Sequence, residues 1–210
     1  MKNKKLINWL ALSGVISVIF YILHDIIGGI NYPGYNALSQ AVSDLTAIDS
    51  PAFFIANKYS TIYGIFNCLC CALLSILIRN EENKLLRIGI YMFSIMNYIS
   101  GIGYALFPLS SSGFDGSIQS IIHVYVITLL VVLLSIVSLI LIAVGSFKGK
   151  KKHRYLGWLA IFTFILMFIG AIGSNAVPKE YFGLLERFST YSVVIFTGIL
   201  GLYGFNVFQE

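Results

Sequence analysis

Charge is scarce in this chain. Only 11% of its 210 residues are Asp, Glu, Lys or Arg, less than half the roughly 25% found in soluble domains. Proline is nearly absent as well: Pro33, Pro51, Pro108 and Pro178 all fall between apolar runs. No paired runs broken by Gly or Pro are present, which counts against active transport by alternating broken helices. The few cysteines, Cys68, Cys70 and Cys71, crowd the middle of one apolar run. That placement disfavours a disulfide framework or a zinc site, and they read as small packing residues. So little charge places the chain outside the soluble globular range.

What is abundant is apolar sequence, at 58% hydrophobic residues. Runs of about 20 such residues match the thickness of a bilayer core. Six are legible, at 6–30, 53–78, 85–107, 118–147, 155–177 and 181–208. The expected fold is all-α, a polytopic transmembrane bundle of six helices. The connections are too short for a separate soluble domain, so 1–210 reads as one membrane domain. The Lys-led start resembles a signal peptide, but no small-residue cleavage site follows it and five more spans do. It reads as an uncleaved first helix.

The charges are sorted. Eleven of fourteen basic residues lie in the tail (Lys2, Lys4, Lys5) and the two even connections (Arg79, Lys84, Arg87; Lys148, Lys150, Lys151, Lys152, Arg154). Cytoplasmic segments hold such an excess and meet anionic lipid headgroups there. Both termini are therefore expected in the cytoplasm. The net charge of +5 is explained by insertion, not by nucleic-acid binding. A Lys/Asn/Ile-rich chain with this topology suggests a bacterial plasma membrane, with membrane lipids as its partners.

The opposite end gathers six of the nine acids and two of the three histidines. Its first connection, 31–52, is the longest. Asn31-Tyr32-Pro33-Gly34-Tyr35 is turn chemistry, and Leu38, Ala41, Val42 and Leu45 at helical spacing predict a short amphipathic helix. Asp49-Ser50-Pro51 predicts an N-cap with proline in the first turn of the second span. The second outer connection, 108–117, rich in Ser and Gly, is expected to be a mobile loop.

Polar residues inside the spans fall in stripes: Ser13, Ser17, Tyr21 and His24 on the first; Ser60, Tyr63 and Asn67 on the second; Asn97, Ser100 and Tyr104 on the third; Glu186, Thr190 and Thr197 on the sixth. Polar groups in hydrocarbon need partners, so these faces should meet. At 1.5 Å per residue, His24 lies roughly 9 Å below the outer end of its helix, and His123 and Glu186 roughly 7–8 Å below theirs. Asp25 and Arg187 are their neighbours. Pairing Arg187 with Asp25 or Glu186 would lower the cost of burying it. His24, Asp25, His123, Glu186 and Arg187 are thus expected to line one outward pocket, covered by Tyr35 and Asp44. The alternative is that Glu186 and Arg187 merely cap an interfacial helix and Asp25 snorkels outward, with the Ser, Thr and Asn members serving interhelical packing.

Taken in order, Pro33-Gly34-Tyr35, Ser43-Asp44-Leu45, Phe107-Pro108, His123 and Glu186-Arg187 resemble a prokaryotic membrane family known as domain of unknown function 998. The resemblance covers nearly the whole chain and implies a six-helix integral membrane protein, with no activity attached. Three functions remain open from the residues. One is binding or transport of a lipid headgroup or small polar solute, with Arg187 pairing to phosphate or carboxylate. Another is a metal-assisted hydrolase acting at the outer leaflet, with zinc held by His24, His123 and a carboxylate such as Glu186, Asp25 or Asp44. It is analogous to the alkaline-ceramidase-like hydrolases, but the third histidine, His153, falls in the basic loop. The last is a structural role. A haem held by His24 and His123 is a minor option.

Overall fold

The computed structural model describes residues 5–207. Lys2 and Lys4 of the basic tail, and Phe208 as the expected last residue of the sixth span, lie outside the described residues. Six helices are long and apolar enough to cross a membrane: Leu6–Ile30, Phe53–Ile78, Lys84–Leu106, Ile118–Lys148, Lys151–Ser174 and Lys179–Val207. No strand occurs among the described residues.

The first span is not one helix. A short α1 (Leu6–Leu10) ends in a turn at Ala11 and Leu12 before α2 (Ser13–Ile30). The Leu12 and Val15 amides bond three residues back, to Trp9 and Leu12, tightening the chain there. Close contact with the last helix accompanies this turn. A Cβ on Gly14 would meet the Thr197 carbonyl at 2.7 Å, and one on Gly201 would meet the Ala11 carbonyl at 2.6 Å. Only glycine lets the backbones approach so closely, as small residues do where membrane helices cross.

The remaining helices are α3 (Phe53–Ile78), α4 (Lys84–Leu106), α5 (Ile118–Ile121), α6 (Leu129–Lys148), α7 (Arg154–Ala176) and α8 (Phe182–Val207). A π-helical segment, Ile122–Thr128, joins α5 to α6 without a break, and 3₁₀ turns occupy Val42–Thr46, Lys151–His153 and Lys179–Tyr181. Each span packs against the one before and after it, and α2 closes the ring against α8. The described ends meet at one end of the bundle, where Trp9 packs on Phe205 and Asn8 donates to the Gly204 carbonyl. That is the basic end; the connection 31–52 forms the acidic end.

The interior differs between the two halves. Toward the basic end it is an apolar plug: Leu74, Ile78, Ile90, Phe93, Leu139, Ile142, Phe196 and Leu200 are all buried. Toward the acidic end the same ring encloses Tyr21, His24, Tyr63, Asn67, Asn97, Tyr104, Thr128, Glu186 and Thr190. The expected stripes therefore do face inward. Asn67 donates to Asn97 at 3.0 Å, and the Tyr104 and Thr128 hydroxyls lie 3.0 Å apart. Outward faces carry exposed Leu133, Val137, Phe162 and Ile169, and Trp158 is exposed near the basic end, where aromatic rings suit a membrane interface.

Candidate functional site

The connection 31–52 is a built cap rather than a helix on a surface. Only Val42–Thr46 is helical, and it is 3₁₀. The amphipathic helix expected from Leu38 onward does not form. Asn36 competes for the local backbone, its side chain accepting from the Leu38 amide, while Gln40 Oε1 accepts from the Asn36 amide. Gly34 supplies the positive φ of +79° that the preceding turn needs. Val42, Leu45, Ala52 and Ala56 then bury together, with Tyr21, Tyr32 and Tyr35 against them.

Arg187 fastens this cap. Its Nε donates to Asp25 Oδ2 at 2.9 Å and its Nη2 to Asp25 Oδ1 at 2.8 Å, a two-pronged pair between the last helix and the first. Nη2 also donates to the Tyr35 hydroxyl at 2.7 Å, which in turn donates to the Ala41 carbonyl. Nη1 meets the carbonyls of Ala37, Gln40 and Gly183. A side chain on Gly183 would collide with the Gln40 carbonyl, so glycine there lets the cap sit on α8. Every N–H of the guanidinium thus has an acceptor within the chain. Asp25 is equally engaged, since the Tyr191 hydroxyl donates to its Oδ2 at 2.8 Å. Burial pushes the Tyr35 phenol above its ordinary pKa, against the pull of Arg187.

Asp44 works as a second fastener. Its Oδ2 accepts from the Ala41 amide at 3.1 Å and its Oδ1 from the Gly113 amide at 2.8 Å. Burial raises the Asp44 pKa, outweighing the two amides and Arg187 that lower it. Asp49 accepts from the Ser112 amide at 2.8 Å instead of capping α3, and Ser50 Oγ accepts from the Ala52 amide. The Ile48 amide donates to the Leu109 carbonyl. The second connection is therefore pinned across the first, contrary to the mobile loop expected from its Ser and Gly content.

His123 sits in the π-helical segment. Its Nδ1 lies 2.7 Å from the Phe107 carbonyl, its ring lies 4.7 Å from that of Tyr104, and Thr128 Oγ1 donates to its backbone carbonyl. With Nδ1–H given to a carbonyl, the ring closes the end of α4 ahead of Pro108. His24 and Glu186 are different. His24 is 4% exposed, and neither ring nitrogen has a partner. Glu186 accepts from the Val42 amide through Oε2 at 3.3 Å, and its Oε1 takes no hydrogen bond among the described residues. Tyr21 lies between them, 5.7 Å from the His24 ring and within electrostatic reach of Glu186.

No three His, Cys, Asp or Glu side chains among the described residues come close enough to hold a metal ion. His24, His123 and Glu186 do not assemble the zinc ligand set that the hydrolase reading needs. A shallow cleft of about 310 Å³ does open beside the fastener, lined by Asp25, Ile26, Gly29, Ile30, Tyr35 and Ala37. Its polar members, Asp25 and Tyr35, are both bonded to Arg187 already.

Sequence reasoning missed a cluster at the basic end. His153 is fully buried, its Nδ1 2.6 Å from the Tyr203 hydroxyl and its Nε2 3.3 Å from Glu81 Oε2. Glu81 also accepts from the Asn83 amide, and Arg87 donates to the Glu81 carbonyl at 2.8 Å. This ties both connections of the basic end to the end of α8. Tyr203 falls at the same depth as the basic loops, which was the one available signal.

A ring of six apolar helices with an apolar plug at one end and a charge-fastened cap over a polar interior at the other defines a polytopic membrane protein. Within that class, the chain belongs to the family described as "Protein of unknown function (DUF998)", which matches residues 15–203. No curated protein and no solved structure matches it.

Proposed function

We propose that this protein binds a small polar solute in the polar half of its bundle, beneath the cap, from the outer side of a bacterial plasma membrane with both termini in the cytoplasm. The observation that carries the reading is His24: a buried imidazole with both nitrogens unpartnered, next to a ring of polar side chains. Leaving a buried polar group unsatisfied costs about 1–3 kcal/mol, and a bound solute removes that cost. Tyr21, Tyr63, Tyr104 and Glu186, each partly buried, supply further polar groups on the same side of the bundle. The charge-fastened cap supports binding over a merely packed bundle, because it covers this half while the apolar plug seals the other.

Five of the seven residues expected at the site act as its frame in this reading. Asp25, Tyr35 and Arg187 hold the cap to α8; Asp44 holds the two connections together; His123 closes α4. His24 and Glu186 are left to meet the solute.

Cysteine accessibility tests this. In a chain with Cys68, Cys70 and Cys71 replaced by Ala, His24→Cys should react with a small water-soluble thiol reagent applied from outside. Lack of reaction from either side would sink the binding reading and favour interhelical packing.

A further inference from the structure

The groups that line the polar half bear on what kind of solute suits it. The sequence invites an anion, with Arg187 as its receptor. The geometry removes that option: the guanidinium is saturated by Asp25, Tyr35 and three carbonyls. The other cations of that end, Lys58 and Lys179, are exposed. Against the single cation Arg187 stand the carboxyl groups of Asp25, Asp44 and Glu186. Asp25 is neutralised by Arg187, and Asp44 is held by two amides. Glu186 makes no ion pair among the described residues, its carboxyl accepting only from the Val42 amide.

The groups that lack partners offer two acceptors: Glu186 Oε1, and one nitrogen of the neutral His24 imidazole, whose other nitrogen is an N–H donor. The walls around them are aromatic. The Tyr21 ring meets Tyr63 at 5.0 Å, Tyr191 at 5.4 Å and His24 at 5.7 Å between centroids, and Tyr104 lies within electrostatic reach of Glu186. Aromatic faces attract organic cations, and most strongly where water is displaced. An inorganic cation needs a shell of several oxygens, and no three His, Cys, Asp or Glu side chains among the described residues come together to hold one.

We infer that the solute is a small organic ammonium ion, its N–H groups directed to Glu186 and His24 and its carbon skeleton against Tyr21, Tyr63 and Tyr191. This rests on the binding reading above and gives it a ligand class. The site is opposite in sign to a phosphate or carboxylate receptor.

Calorimetric titration of the full chain in lipid nanodiscs tests it, using three probes of similar size: n-butylammonium, n-butanol and butyrate. The expected result is binding of butylammonium alone, weakened about 10- to 100-fold by Glu186→Gln, as for loss of a hydrogen bond to a charged group. Tyr63→Leu should weaken it too, without changing its preference for the cation. If butanol or butyrate binds as well as butylammonium, the cation inference is overturned while solute binding survives. If none of the three binds, and His24→Cys is also unreactive, both fall. A Glu186→Gln chain that elutes as a monodisperse folded protein and binds butylammonium like the parent overturns the role given to Glu186.

Discussion

Arg187 and Asp25 form a two-pronged ion pair at 2.8 and 2.9 Å that joins the last helix to the first and, through Tyr35, both to the cap. The pair is nearly buried, with side chains 13% and 10% exposed. Removing one partner of such a pair leaves the other charge uncompensated, at a cost of about 3–5 kcal/mol. Arg187→Ala and Asp25→Ala should each lower thermal stability sharply, and the double variant should lose less than the two singles added. Arg187→Lys should not rescue, because an ammonium cannot make the forked pair and reach Tyr35 and the carbonyls together. Additive losses, or full rescue by lysine, would show that the fork is not what holds the cap.

Asp44 gives the cap a pH dependence whose sign can be worked out. Its carboxyl titrates near 3.8 when unfolded and higher in the folded protein, because burial outweighs the amides. The folded state therefore holds the proton more tightly than the unfolded one. The contribution is complete below the unfolded value and is lost as pH rises through the folded value. Melting temperature followed from acid upward should fall more steeply in the parent than in Asp44→Asn, which has no such proton. A difference between the two that is flat across this range, or that rises with pH, would contradict the burial argument.

At the other end, the Tyr203 hydroxyl is the partner of a histidine with no exposed surface. Tyr203→Phe keeps the ring and strands His153 Nδ1, costing about 1–3 kcal/mol. His153→Phe in the same chain should recover part of that loss. Butylammonium binding should be unchanged in either variant, since the apolar plug lies between this cluster and the polar half. Loss of binding on Tyr203→Phe would mean that the two ends are coupled.

Much of this was legible in the sequence, for reasons that differ by feature. All six spans lie within four residues of their expected bounds, because apolar length against bilayer thickness is a strong local signal. The inward stripes were legible too, since buried polar groups in lipid have few places to go. That Arg187 would pair with Asp25 or Glu186 followed from their depth, but the choice of Asp25 did not. Adjacent residues on a helix point about 100° apart, so the rotation of α8 decides it, and rotation is set by tertiary packing. The pinning of 108–117 rests on Asp44 and Asp49 reaching backbone amides across more than sixty residues, which loop composition cannot reveal. His153 does lie in the basic connection as expected, but its burial was not legible for the same reason: its partners come from two remote segments.

The direction in which the bundle sits in the membrane is the premise of the proposed binding side, and labelling can decide it. Ser111 lies in the connection that is pinned over the acidic end, and Lys150 lies in the basic connection before α7. The excess of Lys and Arg at the basic end should keep that end in the cytoplasm. In a chain without native cysteine, Ser111→Cys should react with an impermeant thiol reagent on intact cells, and Lys150→Cys should react only after lysis. The opposite pattern would put the cap and its polar half in the cytoplasm. His24→Cys would then have to be probed from that side, and any solute bound by Glu186 would be an intracellular one.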